Sequence, residues 1–283
     1  MALPDLRPAS TVVLLRPSAT RFDVFLVRRN DSVAFMGGAH VFPGGRVDPG
    51  DAIDTGALTT GSDAAARRMT DLPRDSAIAH HVAAARELFE EGGVLLARRD
   101  GHLIATDGEG PTPFAARRRD LLAGTVTFAD LIRSGRLVLA LDELTYFAHW
   151  VTPEIETKRF DTRFFIARAP DGQTPAHDES ETVHSEWLDP ADAIARCLAD
   201  EIALPPPTWT TLRDLARFAT VEDVMRWAST KPVPRVQPKF VTRDDISFVC
   251  YPGDPLYPPV EGFETPEESR FVLENRRWRP VRQ

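Results

Sequence analysis

Residues 10–17 (STVVLLRP) and 22–29 (FDVFLVRR) are short runs rich in β-branched and other apolar residues, and a turn-prone SATR lies near their junction. That pattern predicts two strands. Glycines and prolines in FMGGAHVFPGGRVDPGD mark a loop, with AHVF as a short strand inside it. From residue 52 to about 73 the chain is polar and small-sided, with no clear period, and is expected to loop out of the core. From about Asp75 an alanine-rich stretch, SAIAHHVAAARELFEE, predicts a helix ending at Gly92 and Gly93, and GVLLA after it reads as a buried strand.

Residues 111–135 read as a helical insertion, with Thr112 before Pro113 as one cap and Thr127 with Asp130 as another. LTYFAHWVTP and RFDTRFFIARA are aromatic and β-branched, hence strands. Asp189 and Pro190 open a helix, and two more are expected near 208–218 and 221–229. The proline-rich last fifty residues show one strand-like piece, DISFVCYP. Strands and helices mixed along one chain predict an α/β layered core.

Composition narrows the function. The 283 residues carry 34 Lys and Arg against 42 Asp and Glu, a net charge of −8. An overall basic footprint for nucleic acid is therefore missing, although a local basic patch can still bind phosphate. No apolar run approaches the length of a membrane span. The start carries no signal peptide and the end no retention or peroxisomal address, so the reading is soluble and cytoplasmic. Cys197 and Cys250 lie far apart and are expected to be free thiols.

The chemistry concentrates in AARELFEEGGVLLA. On a helix Glu87, Glu90 and Glu91 lie on one arc, where like charges repel unless water or a cation neutralises them. Arg86 can reach back to a carboxylate and fix it. Hard divalent cations take oxygen ligands, and a diphosphate needs such an ion to neutralise its charge and activate water. Gly44 and Gly45 allow backbone to approach closely. Among the cations, Arg28, Arg29, Arg46, Lys158, Arg159 and Arg163 are phosphate candidates, each against the bland reading of a solvating side chain. His80 shares the glutamate face two turns upstream and is expected at the surface. His40 and His149 read as packing or hydrogen-bonding residues, and Cys197 as a small buried hydrophobe.

Arg86-Glu87-Leu88-Phe89-Glu90-Glu91-Gly92-Gly93-Val94 resembles the second half of the Nudix box. Its first half resembles PGGRVDPGD, but displaced: Asp51 stands where glutamate is usual, and residues 52 to 85 separate it from Arg86. That split is similar to the insertion-bearing branch of Nudix hydrolases, which includes a mammalian peroxisomal coenzyme A diphosphatase. FMGGAHVFPGG, HWVTP, KRFDTRFF, EIALPPPTWTTLRDLARFATVEDV and YPGDPLY resemble that branch in the same order.

The resemblance implies a Nudix α/β/α sandwich with a mixed sheet, an insertion within the box and a helical C-terminal extension. It divides the chain into residues 1–195, with insertions at 52–73 and 111–135, and residues 196–283 packed on that core. Glu87, Glu90 and Glu91 are implied ligands of Mg²⁺ or Mn²⁺. Glu87 and Arg86 are implied catalytic residues, with Glu181 as the assisting acid outside the box, ahead of Asp178 and Glu179. Gly44, Gly45, Arg29, Arg46 and Arg159 are assigned to the substrate.

That substrate is a small diphosphate, coenzyme A or acyl-coenzyme A first. Nucleotide sugars, dinucleotides or NADH are the enzymatic alternative, and a non-catalytic nucleotide sensor the other class. Neither nucleic acid nor membrane is an expected partner. Nudix enzymes are often dimers, and the C-terminal helices are expected either to form a homodimer interface or to cover the active site.

Overall fold

The computed structural model describes residues 5–31, 37–53, 55–107, 113–178, 182–243, 245–260, 268–274 and 277–281. Its first strands are β1 (Leu6–Pro17), β2 (Phe22–Arg29), β3 (His40–Val41) and β4 (Gly44–Arg46). The segment expected to loop out of the core instead folds onto it, as α1 (Thr55–Leu58), β5 (Thr59–Thr60) and α2 (Ser62–Arg67). Met69 and Leu58 anchor it in the core, so a few apolar residues without period suffice to order it. Next come α3 (Arg74–Gly92), β6 (Ala97–Arg99), β7 (His102–Leu103), α4 (Pro113–Leu122), α5 (Phe128–Ser134), β8 (Val138–Ala140), β9 (Thr145–Val151) and β10 (Arg159–Arg168). The remainder is β11 (Thr182–Leu188), α6 (Pro190–Leu198), α7 (Pro206–Leu215), α8 (Val221–Thr230), β12 (Arg235–Val236), β13 (Lys239–Arg243), β14 (Ile246–Cys250), β15 (Arg270–Glu274) and β16 (Arg277–Val281).

The central mixed sheet runs β11-β2-β1-β10-β9-β12, with β3 on β2 and β4 on β1. β1 lies parallel to β10, and β4 antiparallel to β1 with Ser10 opposite Gly45. Alternation along β1 divides the core. Val12 and Leu14 pack with Val82, Ala85 and Leu88 of α3 on one face. Val13 and Leu15 pack with Trp209, Leu212 and Val224 of α7 and α8 on the other. The result is a helix–sheet–helix sandwich.

α3 ends where the sequence says it should. Gly93 takes a left-handed conformation (φ 71°) and its N–H bonds Phe89 O, the backbone shape for which glycine carries no penalty. Thr127 caps α5 by accepting from Asp130 N, and Asp189 caps α6 by accepting from Ala191 N. The other expected cap, Thr112, lies outside the described residues.

Two further expectations fail. Val94, Leu95 and Leu96 are fully buried but form no strand. The Gln173 side chain takes the ladder's place, accepting from Leu95 N at 2.9 Å and donating to Leu95 O at 3.0 Å and Ile104 O at 2.8 Å. The proline-rich end holds more than one strand: β13-β14-β15-β16 form an antiparallel sheet beside the C-terminal helices. Pro280 sits in its edge strand β16, where a missing N–H is tolerated. Both cysteines are free, Cys250 buried and Cys197 only partly so. Among the described residues no helix is long and apolar enough to cross a membrane.

Candidate active site

β4 lays its two glycines across the C-terminal half of α3. A Cβ on Gly45 would lie 2.5 Å from Glu87 Oε1, so only glycine lets the strand approach the helix this closely. Gly44 N donates to Glu91 Oε2 at 2.8 Å. The two halves of the motif, separated by residues 52 to 85, thus meet in space.

Arg86 is the hub. Its Nε and Nη2 donate to the two Asp51 oxygens at 2.8 and 3.0 Å. Its Nη1 donates to Glu87 Oε1 and Glu90 Oε2, both at 2.8 Å, and its Nη2 also donates to Arg46 O at 2.8 Å. Burial alone would lower its pKa; the Asp51 hydrogen bonds and the charges of Glu87, Asp51 and Glu90 win and raise it. Asp51 is 1% exposed. This acid, shorter than the glutamate of the resembling pattern, serves to hold Arg86 rather than to face the groove.

One guanidinium hydrogen-bonded to three carboxylates, with Asp48 a fourth at 3.9 Å, leaves the cluster short of positive charge. Glu87 shows it: burial, with added repulsion from Glu90 and against the pull of Arg86, pushes its carboxyl up to about 7. Glu90 is raised as well, again mainly by burial. A buried carboxyl displaced in this way marks a functional site when it lies in a cleft. Among the described residues, no three acids, histidines or cysteines already enclose a point at ligand distances. Glu87 and Glu90 are instead held by Arg86, and Glu91 by Gly44. The donor set still suits a hard divalent cation, being all carboxylate oxygen and net negative.

Glu87, Glu90 and Glu91 line a groove of about 740 Å³. β1, β4 and β10 supply other walls through Arg7, Ala9, Thr11, Gly44, Gly45, Arg46, Phe160 and Thr162, with Lys158 just before β10. Arg29 reaches the groove from β2; its buried Nε has no hydrogen-bond partner among the described residues. Arg159 does not line the groove. Alternation turns it the other way from Phe160, and it is buried with Nε donating to Thr152 O at 3.3 Å. Arg28 pairs with Asp31, and Arg163 with Asp71 at 2.8 Å and Tyr146 Oη at 3.0 Å. Glu181 and Glu179 lie outside the described residues. Asp178 does line the groove, its Oδ1 accepting from Thr182 N at 2.9 Å.

His80 is not at the surface. It is 5% exposed, its Nδ1 is 3.1 Å from Ser10 Oγ, and burial holds its pKa down at about 4. His149 bonds Asp161 at 2.6 Å and Arg163 at 2.9 Å, a hydrogen-bonding role. His40 lies 3.3 Å from Glu186, but burial outweighs that carboxylate and keeps the ring neutral, with a pKa of about 4.

Two contributors escaped the sequence reading. Arg7 was missed because β1 starts at Leu6, four residues before the apolar run; alternation back from Thr11 and Ala9 would have found it. Arg118, on α4, donates from Nε and Nη2 to Glu90 O at 2.9 and 2.7 Å. No local signal marks it, since only the folded insertion brings it to the end of α3.

Known proteins share this architecture. The family profile described as the NUDT19 Nudix domain matches residues 57–217. The acyl-coenzyme A diphosphatase NUDT19 of Homo sapiens is 30% identical, the match covering 85% of this chain and 74% of the relative. The putative nudix hydrolase 7 of Caenorhabditis elegans is 27% identical over 92% of this chain and 77% of its own length. In three dimensions, a Nudix hydrolase from Alicyclobacillus acidocaldarius superposes with a TM-score of 0.69 at 28% identity, covering 82% of this chain and 100% of that one. A profile match over more than half the chain, joined to the split motif closed around Arg86, makes this protein a Nudix hydrolase of the NUDT19 family.

Proposed function

We propose that the protein hydrolyses the diphosphate of coenzyme A or an acyl-coenzyme A, releasing 3′,5′-ADP and 4′-phosphopantetheine or its acyl form. The observation that carries this reading is the groove's division of charge. Carboxylates line one wall, while Arg7, Arg29 and Lys158 line others with no ion pair among the described residues. Coenzyme A brings a diphosphate for the first and a further 3′-phosphate for the cations, which suits arginine. The names of the NUDT19 relatives point to the same substrate class.

Glu87, Glu90 and Glu91 would hold Mg²⁺ or Mn²⁺. Such an ion neutralises phosphoryl charge and lowers the pKa of a bound water. The chain's own part is positional: Arg86 and Asp51 fix the acids, and the Gly44 N–H orients Glu91.

Product analysis over a panel of diphosphates, with Mg²⁺ or Mn²⁺ and after EDTA treatment, tests the proposal. Coenzyme A or a short acyl-coenzyme A should be cut better than ADP-ribose, NADH or UDP-glucose. It should exceed 3′-dephospho-coenzyme A by about 1.5–3 kcal/mol in kcat/KM, the scale of one charge-assisted hydrogen bond. Equal kcat/KM for the last two would remove the 3′-phosphate argument. A preferred nucleotide sugar would overturn the substrate class.

A further inference from the structure

Beside the groove lies an apolar chamber of about 200 Å³, between the central sheet and the C-terminal region. Thr11, Arg29, Gly44, Phe160 and Thr162 line both spaces, so the two are continuous. Trp150, Phe240, Tyr251, Trp278 and the run Pro205–Pro207 supply much of the chamber's remaining wall. Its charged lining residues are Arg29 and Glu156. Trp150 Nε1 is buried without a hydrogen-bond partner among the described residues.

Strand register gives this arrangement a direction. Along β1, Arg7 comes first, Ala9 faces Arg46, Ser10 faces Gly45 above Glu87, and Thr11 faces Gly44 at the chamber mouth. From Arg7 to Thr11 is four residues, about 13 Å of strand. Arg7, Arg46 and Lys158 stand at one end, with Asp48 the acid among them at 4.0 Å from Arg46, so that end is net positive; the carboxylates of α3 stand in the middle and apolar surface at the other end.

We infer that this axis fixes the direction in which the substrate lies: the 3′,5′-ADP half toward Arg7, Arg46 and Lys158, and the pantetheine arm, with any acyl group, in the chamber. The inference rests on the coenzyme A reading above. The arm is uncharged and linear, and the chamber is smaller than the roughly 300–1,000 Å³ that holds a drug-sized ligand. Its amide carbonyls are acceptors of the kind the lone Trp150 N–H requires. A 3′-phosphate placed there would lose its hydration against a mainly apolar wall, which is costly. The C-terminal sheet thereby gains a task, since Phe240 and Trp278 belong to it.

Calorimetric binding of the two products, each with Mg²⁺ present, separates the ends. Ile155 lines the chamber and is 60% exposed, so Ile155→Glu spares the fold; Phe240→Glu places a charge deeper. Both should weaken 4′-phosphopantetheine roughly tenfold, a loss of about 1.4 kcal/mol, and leave 3′,5′-ADP within about twofold. Arg7→Ala and Lys158→Ala, both at exposed positions, should do the reverse. Circular dichroism checks the Phe240 variant, and the Ile155 variant decides alone if that one unfolds. The opposite pattern, or equal effects on both products, overturns the inference while leaving the substrate class intact. Failure of either product to bind the unaltered protein at millimolar concentration would instead overturn the coenzyme A reading, and this one with it.

Discussion

Arg86 and Arg29 line the same groove and live in opposite circumstances. Arg86 spends its donors on Asp51, Glu87, Glu90 and a backbone carbonyl. Arg29 has a buried Nε with no partner and no ion pair among the described residues. A buried, fully engaged cation belongs to the scaffold. A half-buried cation left open is tolerated when an anion arrives from outside. Under the proposed function the same side chain serves architecture on one wall and recognition on the other, and substitution should tell the two apart.

The largest effect should come from the architectural side. Arg86→Ala leaves Asp51 buried without its guanidinium, and unfolding by urea should show a loss of about 3–5 kcal/mol. Arg29→Ala should leave that unfolding curve within about 0.5 kcal/mol of the parent; a comparable loss would erase the contrast.

Next in size, Glu90→Gln and Glu91→Gln should each lower kcat by about 10²–10³-fold with the fold intact, the cost of removing one electrostatic contributor to the reaction. Near-parental turnover by both at saturating Mg²⁺ would sink their assignment as cation ligands.

Smaller again, Arg29→Ala should lower kcat/KM for coenzyme A by about 1.5–3 kcal/mol. Arg29 stands where groove and chamber join, so the penalty should persist with 3′-dephospho-coenzyme A, the diphosphate being its partner. A penalty that vanished with that substrate would put the 3′-phosphate at the chamber mouth and break the inferred direction.

The mildest prediction sharpens the comparison with a buried group that needs no counter-charge. His81 is 1% exposed, its Nδ1 lies 2.8 Å from Ala77 O, and burial lowers its pKa to about 4. The folded pKa lies below the ordinary value of about 6.5, so the unfolded chain binds the extra proton between the two. His81 thus contributes no penalty above about pH 6.5, and stability falls as pH drops from there toward 4. The slope should approach 1.4 kcal/mol per pH unit for this one group. His81→Gln should reduce that slope; an unchanged pH profile would show that His81 does not set it.

What the chain disclosed in advance follows the range of the interactions. The glutamates, Arg86 and the stop at Gly93 lie within a few turns of one helix, so spacing alone exposes them. The approach of Gly45 to Glu87 spans a long gap, and only the resemblance of the two half-motifs bridged it. Arg159 went the other way: a basic residue beside a strand start seemed placed for phosphate, and the register of β10 put Lys158 and Phe160 there instead. The final sheet was hidden because RFVLE has only three apolar residues between charges and RWRPV mixes arginine and proline with apolar residues. Their pairing, Phe271 with Pro280 and Val272 with Arg279, exists only once β15 and β16 meet.

Gln173 has a consequence for the life of the chain outside its native state. VLLA is uncharged and apolar, and an extended segment of that kind with open backbone groups is a place for another chain to pair. In the fold, one carboxamide occupies both backbone groups of Leu95, so the segment offers neither to a second molecule. Because Gln173 arrives from a turn 78 residues away, this protection is missing from a nascent chain until the sheet has closed. Between the emergence of Leu95 and that of Gln173, the chain must therefore find other partners, water included, for these two backbone groups.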